Sequence, residues 1–265
     1  MQMKILGSGT STGIPEYLCD CDTCQDAREN PGSKNLRTRP SMHLQVGEVN
    51  LQFDTGPNFL DQIDRHRVEK IDAVIYTHCH ADHISGTNDL VMPCRKQKMD
   101  MPIYGPEETM GVLQKNYDYM FSKETYAGGG VAHLLPHAVS GRFVVEGVEL
   151  ECVPVQHGAV VTFGYRIGKL GYVSDVKRFL EGSLDLLKGV DVLVLDALSF
   201  NPKHPTHFSV GEAVEAVLHV GAERTYLTHM MHRIDDRFFS EQCAENGVVL
   251  PDHVQLAYDG QVIEV

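Results

Sequence analysis

The hydrophobic positions fall into short runs, each closed by a turn or a polar residue. Met3-Lys4-Ile5-Leu6 predicts a first strand, and Met42–Val46 with Asn50–Phe53 predicts a hairpin around Gly47-Glu48-Val49. Ile71–Tyr76, apolar but for Asp72, reads as a buried strand, and Val148–Val155, Gly171–Ser174, Asp191–Asp196 and Arg224–Thr228 share that character. Val210, Ala213, Val214, Val217 and Leu218 recur at helical spacing behind Ser209 and Glu212, an S-x-x-E capping box. This predicts an amphipathic helix with all five side chains turned inward. Pro106 opens a further helix ending in Asn116–Phe121, and Pro57 takes a first helical position after Asp54-Thr55-Gly56. Gly7–Pro15 is a turn: its third glycine falls one place late for a dinucleotide-binding loop, and no Gly-Lys-Ser/Thr follows.

Chemistry concentrates where the runs end. Directly after Tyr76 come His78, His80, Asp82 and His83, four potential metal ligands within six residues. His78 and His80 point to one side of a strand end, while Asp82 and His83 face a second position as a helix begins. Such a cluster can hold two cations roughly 3.5–4 Å apart, the arrangement of two-metal hydrolytic sites. Cys79 alternates to the opposite side and is expected to be a packed thiol. Three later strand-like runs lead to His157, Asp175 and His229, and strand ends gathered at one sheet edge are where ligands converge in α/β folds. Cys19, Cys21 and Cys24 could fill three corners of a tetrahedral zinc site, the fourth ligand coming from elsewhere. His207 sits just before the capped helix, beside the presumed site, while Arg37 and Arg39 are read as solvated.

The H-x-H-x-D-H pattern of residues 78–83 resembles the metallo-β-lactamase superfamily. That resemblance implies a four-layer αβ/βα sandwich of the α/β class binding one or two metals. His78, His80 and His157 would hold one metal, Asp82, His83 and His229 the other, and Asp175 would bridge them. With the cysteine cluster, the chain resembles the phosphodiesterase branch, in particular the phosphoribosyl cyclic phosphodiesterases of carbon-phosphorus lyase pathways. In that family the second histidine of an H-x-x-H, here His232, closes the structural zinc site, with Cys94, Cys152 and Cys243 as rivals. The family also puts a histidine, here His207, at the substrate phosphate to help the leaving group, and makes the D-T-G-P turn at Asp54 a support for the ligands.

Composition narrows the partners. With 23 basic and 36 acidic residues the net charge is −13, which should repel long polyanions, although bound cations would make the site locally positive for a small anionic substrate. Seven cysteines, three of them within six residues, suit metal binding in a reducing compartment. No apolar run is long enough to span a membrane and the first residues lack a signal-peptide stretch, so a cytoplasmic location is expected. The 265 residues, 42% hydrophobic, are expected to form one domain over 1–265; oligomeric state, including a homodimer, stays open. Residues 92–135, rich in methionine and aromatics and closed by Gly128-Gly129-Gly130, would be either packed core or a substrate lid. The expected activity is hydrolysis of a small, cyclic ribose or nucleotide phosphodiester by a metal-bridging hydroxide, with Asp82 and Asp175 in the metal chemistry and His207 as acid. Zinc, manganese or iron would serve as the two catalytic metals, with one further structural zinc. A lactam, thioester or other acyl substrate is the alternative.

Overall fold

A computed structural model describes residues 1–122 and 130–265. Two mixed sheets pack face to face, and helices cover the outer face of each. Among the described residues the first sheet has seven strands, ordered in space as Val262–Glu264, Gln2–Gly7, Ser41–Val46, Val49–Phe53, Ala73–Ile75, Met101–Gly105 and Leu134–Ala138. The second has eight: Arg178–Phe179, Val148–His157, Val160–Ile167, Leu170–Val173, Val192–Asp196, Arg224–Thr228 and Val254–Leu256 in order, with Arg142–Val145 also paired to Val148–His157.

Strand alternation builds the layers, because successive side chains leave opposite faces of a sheet. Ala73 and Ile75 enter the core between the sheets with Leu51, Phe53, Tyr165 and Tyr172, while Val74 and Tyr76 pack under the outer helices with Phe59 and Leu113. Val192 and Val194 likewise face the inter-sheet core, and Leu193 and Leu195 face the helix Val210–Val220. These strands are buried on both faces, which explains why they read as continuous apolar runs.

The capping box forms as expected: the Ser209 side chain accepts from the Glu212 backbone, and the Glu212 carboxylate accepts from the Ser209 N–H. The inward stripe is different by one residue. Leu218 is exposed and Ala216 is buried, because position 218 lies roughly 100° round the helix from Val217, past the edge of the packed face. Pro57 is also not a first helical residue; the helix runs Phe59–Arg65, with Asn58 before it. Within 92–135, Met101–Gly105 is an interior strand, and Met101, Met110, Leu113 and Met120 are buried in one core, so this part is packed core. The lid expectation otherwise falls on Gly128, Gly129 and their neighbours in 123–129, outside the described residues. Among the described residues no helix is long and apolar enough to cross a membrane.

Arg37 is not a solvated arginine. It is fully buried, donating to Ser8 Oγ at 2.8 Å and to the Ala257 carbonyl, with Asp236 Oδ1 3.7 Å away. Asp259, accepting from Ser8 and Thr38, supplies a further charge beside it, and the group ties the first strand's exit to the C-terminal turn.

His43 offers a stability prediction. Burial pushes its pKa down from 6.5 to about 4, only partly opposed by the hydrogen bond to Asn50 Oδ1. A depressed folded pKa means the contribution is fully present above pH 6.5 and is lost as pH falls toward 4, because the unfolded chain then binds the proton first. The loss can reach about 3 kcal/mol across that window. Urea melts of His43→Gln should fall off less steeply between these two pH values than those of wild type; parallel profiles would contradict the assignment.

Candidate dinuclear metal centre

The strands Val49–Phe53, Ala73–Ile75, Val148–His157, Leu170–Val173, Val192–Asp196 and Arg224–Thr228 all finish at one edge of the two sheets. At that edge the structure gathers every histidine and aspartate picked out at the strand ends, in two overlapping groups. One comprises His78, His80, His157 and Asp175; the other comprises Asp82, His83, Asp175 and His229. Asp175 belongs to both, and its two oxygens divide between them. Its Oδ2 lies 3.7 Å from both His78 Nε2 and His157 Nε2, while its Oδ1 lies 3.3 Å from His83 Nε2 and 3.2 Å from His229 Nε2. Asp82 Oδ2 closes the second group at 3.5 Å from both His83 Nε2 and His229 Nε2.

These residues fit divalent cations. Donors held at about 2.1 Å in a tetrahedron sit roughly 3.4 Å apart, close to the separations observed and longer than direct hydrogen bonds. The Nε2 atoms of His78, His83 and His229 are buried with no hydrogen-bond partner, a costly arrangement unless an ion completes it. Electrostatics point the same way. Burial opposes protonation of His83, yet Asp175, Asp54 and Asp82 together push its pKa well above the usual value, so the pocket attracts positive charge. Burial, together with the neighbouring His83, His80 and His157, drives His78 the other way, well below its ordinary value, and that keeps an imidazole lone pair available.

Two of the ring nitrogens facing away from the centre are fixed by strong neighbours. His83 Nδ1 is 2.7 Å from Asp54 Oδ2, and Asp54 is itself held by the Thr77 N–H and hydroxyl. His157 Nδ1 donates to the Thr206 carbonyl at 2.7 Å, which leaves Nε2 free to face the site. Such partners orient metal-binding imidazoles. Asp54, Asp175 and His229 all adopt left-handed backbone, with φ of 57°, 54° and 64°. For side chains with a Cβ this is strained, and the strain turns each chain end sharply at the point where its side chain enters the centre.

His207 lies beside this group, buried, with Nδ1 3.0 Å from Asp196 Oδ2 and Nε2 3.9 Å from Asp175 Oδ2. Burial disfavours its protonated form, but Asp196, helped by Asp175 and Asp82, outweighs this and raises its pKa to about 9. Asp196 is the functional candidate that sequence reasoning missed. Its signal was present: it ends the apolar run from Val192. Cys79 is half-buried against the outer core of the first sheet and takes no part.

A separate group of Cys19, Cys21, Cys24 and His232 forms at the surface. His232 Nδ1 lies 3.2 Å from Cys19 Sγ and 3.3 Å from Cys21 Sγ. The rival thiols Cys94, Cys152 and Cys243 are each buried in a different hydrophobic core. Burial pushes the Cys24 thiol up to about 12, so a thiolate there calls for a cation, and the cluster could hold a structural zinc.

Residues 50–230 match the beta-lactamase superfamily domain, and the chain belongs to the metallo-β-lactamase superfamily. Within it the chain falls in the PhnP family: a diphosphatase of that family has a crystal structure that superimposes with a TM-score of 0.87 at 34% identity, covering 100% of this chain and 97% of that one. Zinc-bound PqqB from Methylobacterium extorquens shares the fold, with a TM-score of 0.77 at 18% identity over 100% of both chains. An octanoyltransferase of Porphyromonas gingivalis is 28% identical over 260 residues, 98% of this chain and 51% of that protein, so the chain spans about half the length of this curated relative. The protein has the metallo-β-lactamase fold and a buried His/Asp cluster that could hold a dinuclear metal site.

Proposed function

We propose that the protein hydrolyses small phosphodiesters, cyclic ribose or nucleotide phosphates above all. The observation that carries this reading is the His207–Asp196 pair, whose free Nε2 points at the carboxylate shared by both ligand groups. Phosphodiester cleavage must release an alkoxide, and an acid at that position can protonate it. His78, His80 and His157 would hold one ion, Asp82, His83 and His229 the other, and Asp175 both. Bound there, the ions supply Lewis-acid polarisation of the phosphoryl oxygens and acidify water toward neutral pH. Asp196 keeps the His207 ring in one orientation with Nε2–H toward the substrate, and Thr206 and Asp54 hold His157 and His83 by Nδ1 so that their Nε2 lone pairs would face the ions. The net charge of −13 supports a small substrate over long nucleic acid. The kinship with a PhnP-family diphosphatase supports phosphoester chemistry.

Acyl hydrolysis is a second reading with one observation in its favour: relatives named as an octanoyltransferase and a probable hydroxyacylglutathione hydrolase. Metal-replete protein should be assayed against cyclic phosphates, linear diesters, phosphomonoesters, lactams and thioesters. The proposal expects cyclic diesters to turn over fastest and monoesters little. A thioester or lactam outpacing every diester would replace it with the acyl reading.

A further inference from the structure

We infer that Glu16 is the positioning residue of the cysteine cluster: its carboxylate fixes the His232 ring so that Nδ1 is the zinc-binding atom. The inference rests on reading that cluster as a zinc site. Glu16 Oε2 lies 2.9 Å from His232 Nε2, on the side of the ring opposite the sulfurs. A carboxylate accepts only, so Nε2 carries the proton and the Nδ1 lone pair is left facing Cys19 and Cys21, at 3.2 and 3.3 Å. The tautomer is thereby set before any ion arrives.

Residue 16 reaches a second ligand through its backbone, whose N–H donates to Cys24 Sγ at 3.3 Å. It therefore touches one cysteine and the histidine, ligands that lie more than two hundred residues apart in sequence. Its own place is fixed by Arg28, which donates to the Glu16 carbonyl at 2.7 Å and to the Cys19 carbonyl. The far side of the cluster is equally anchored. Between His229 and His232, Met230 N–H donates to Ser8 O, its carbonyl accepts from Thr10, and Met231 N–H donates to Leu198 O. His232 is thus oriented by Glu16 on a short segment that begins at a ligand of the dinuclear centre, so the cluster braces that centre.

Side-chain substitutions leave the backbone bond to Cys24 in place and isolate the carboxylate. Glu16→Leu should weaken zinc binding about 10–100-fold in competition with a chromophoric chelator, the usual cost of removing such a partner. Glu16→Gln should retain most of the affinity, since its amide oxygen still accepts from Nε2–H. Nitrogen-15 NMR of zinc-free wild type should show His232 protonated on Nε2, and the zinc-free leucine variant should lose that single tautomer. Wild-type affinity in Glu16→Leu, or a proton on Nδ1 in wild type, would overturn the inference while leaving the zinc reading intact. Absence of sulfur neighbours around zinc in the wild-type X-ray absorption spectrum would instead remove the zinc reading, and this inference with it.

Discussion

Asp175→Ala is expected to strip both ions from the dinuclear centre and to lower turnover by at least about 10³-fold, the scale of losing several kcal/mol of metal-supplied stabilisation. The expectation follows from how one side chain is shared. Oδ1 faces His83 and His229, and Oδ2 faces His78 and His157, all within 3.2 to 3.7 Å. The side chain is fully enclosed, and Ser174 Oγ donates to Oδ1 at 2.6 Å, which holds the carboxylate in this shared position. Six ligands would remain, but without the negative charge between the two positions each ion would meet mostly neutral imidazoles. Elemental analysis should find zinc held at the cysteine cluster unchanged, which separates this loss from unfolding. Full occupancy of the centre with activity intact would remove the bridging assignment.

His207→Ala is the second large effect. General-acid assistance contributes about 10²–10⁴-fold, and it matters most when the departing oxygen is a poor leaving group. Diesters that release a sugar hydroxyl should therefore slow by that range, while activated aryl diesters should slow far less. The carboxylate of Asp196 gives this prediction a companion. Asp196 Oδ2 accepts from both His207 Nδ1 and the Val176 N–H, so Asp196→Asn should reproduce the leaving-group pattern at smaller amplitude by loosening the ring. Equal losses on both substrate types would mean that His207 does not act as the acid.

The centre was readable because its ligands obey a rule of chain order. His157, Asp175 and His229 each follow an apolar run, and buried parallel strands ending together must bring such residues to one edge. The same rule, applied to Val192–Asp196, would have found Asp196; read as the last residue of a strand, it was passed over. Its role comes from a partner eleven residues on, a relation set by the loop before the capped helix and invisible in spacing. Arg37 failed for a related reason. Arginines on loops are usually solvated, and only the return of the C-terminal turn at Ala257–Asp259 buries this one. Leu218 shows the limit of periodicity itself, since a helix packs on one side and the stripe's edge depends on how wide the neighbouring sheet is. Glu16 carried no signal, because the charge it meets arrives from the other end of the chain.

The most direct test of the account is a metal titration followed by turnover. Protein stripped by a chelator, with the cysteine-bound zinc restored, should be inactive toward a cyclic phosphodiester. Activity should then rise with added zinc or manganese and saturate at two further equivalents per chain. Cyclic phosphodiester hydrolysis that survives the stripping, or that never tracks the filling of the centre, would contradict the account.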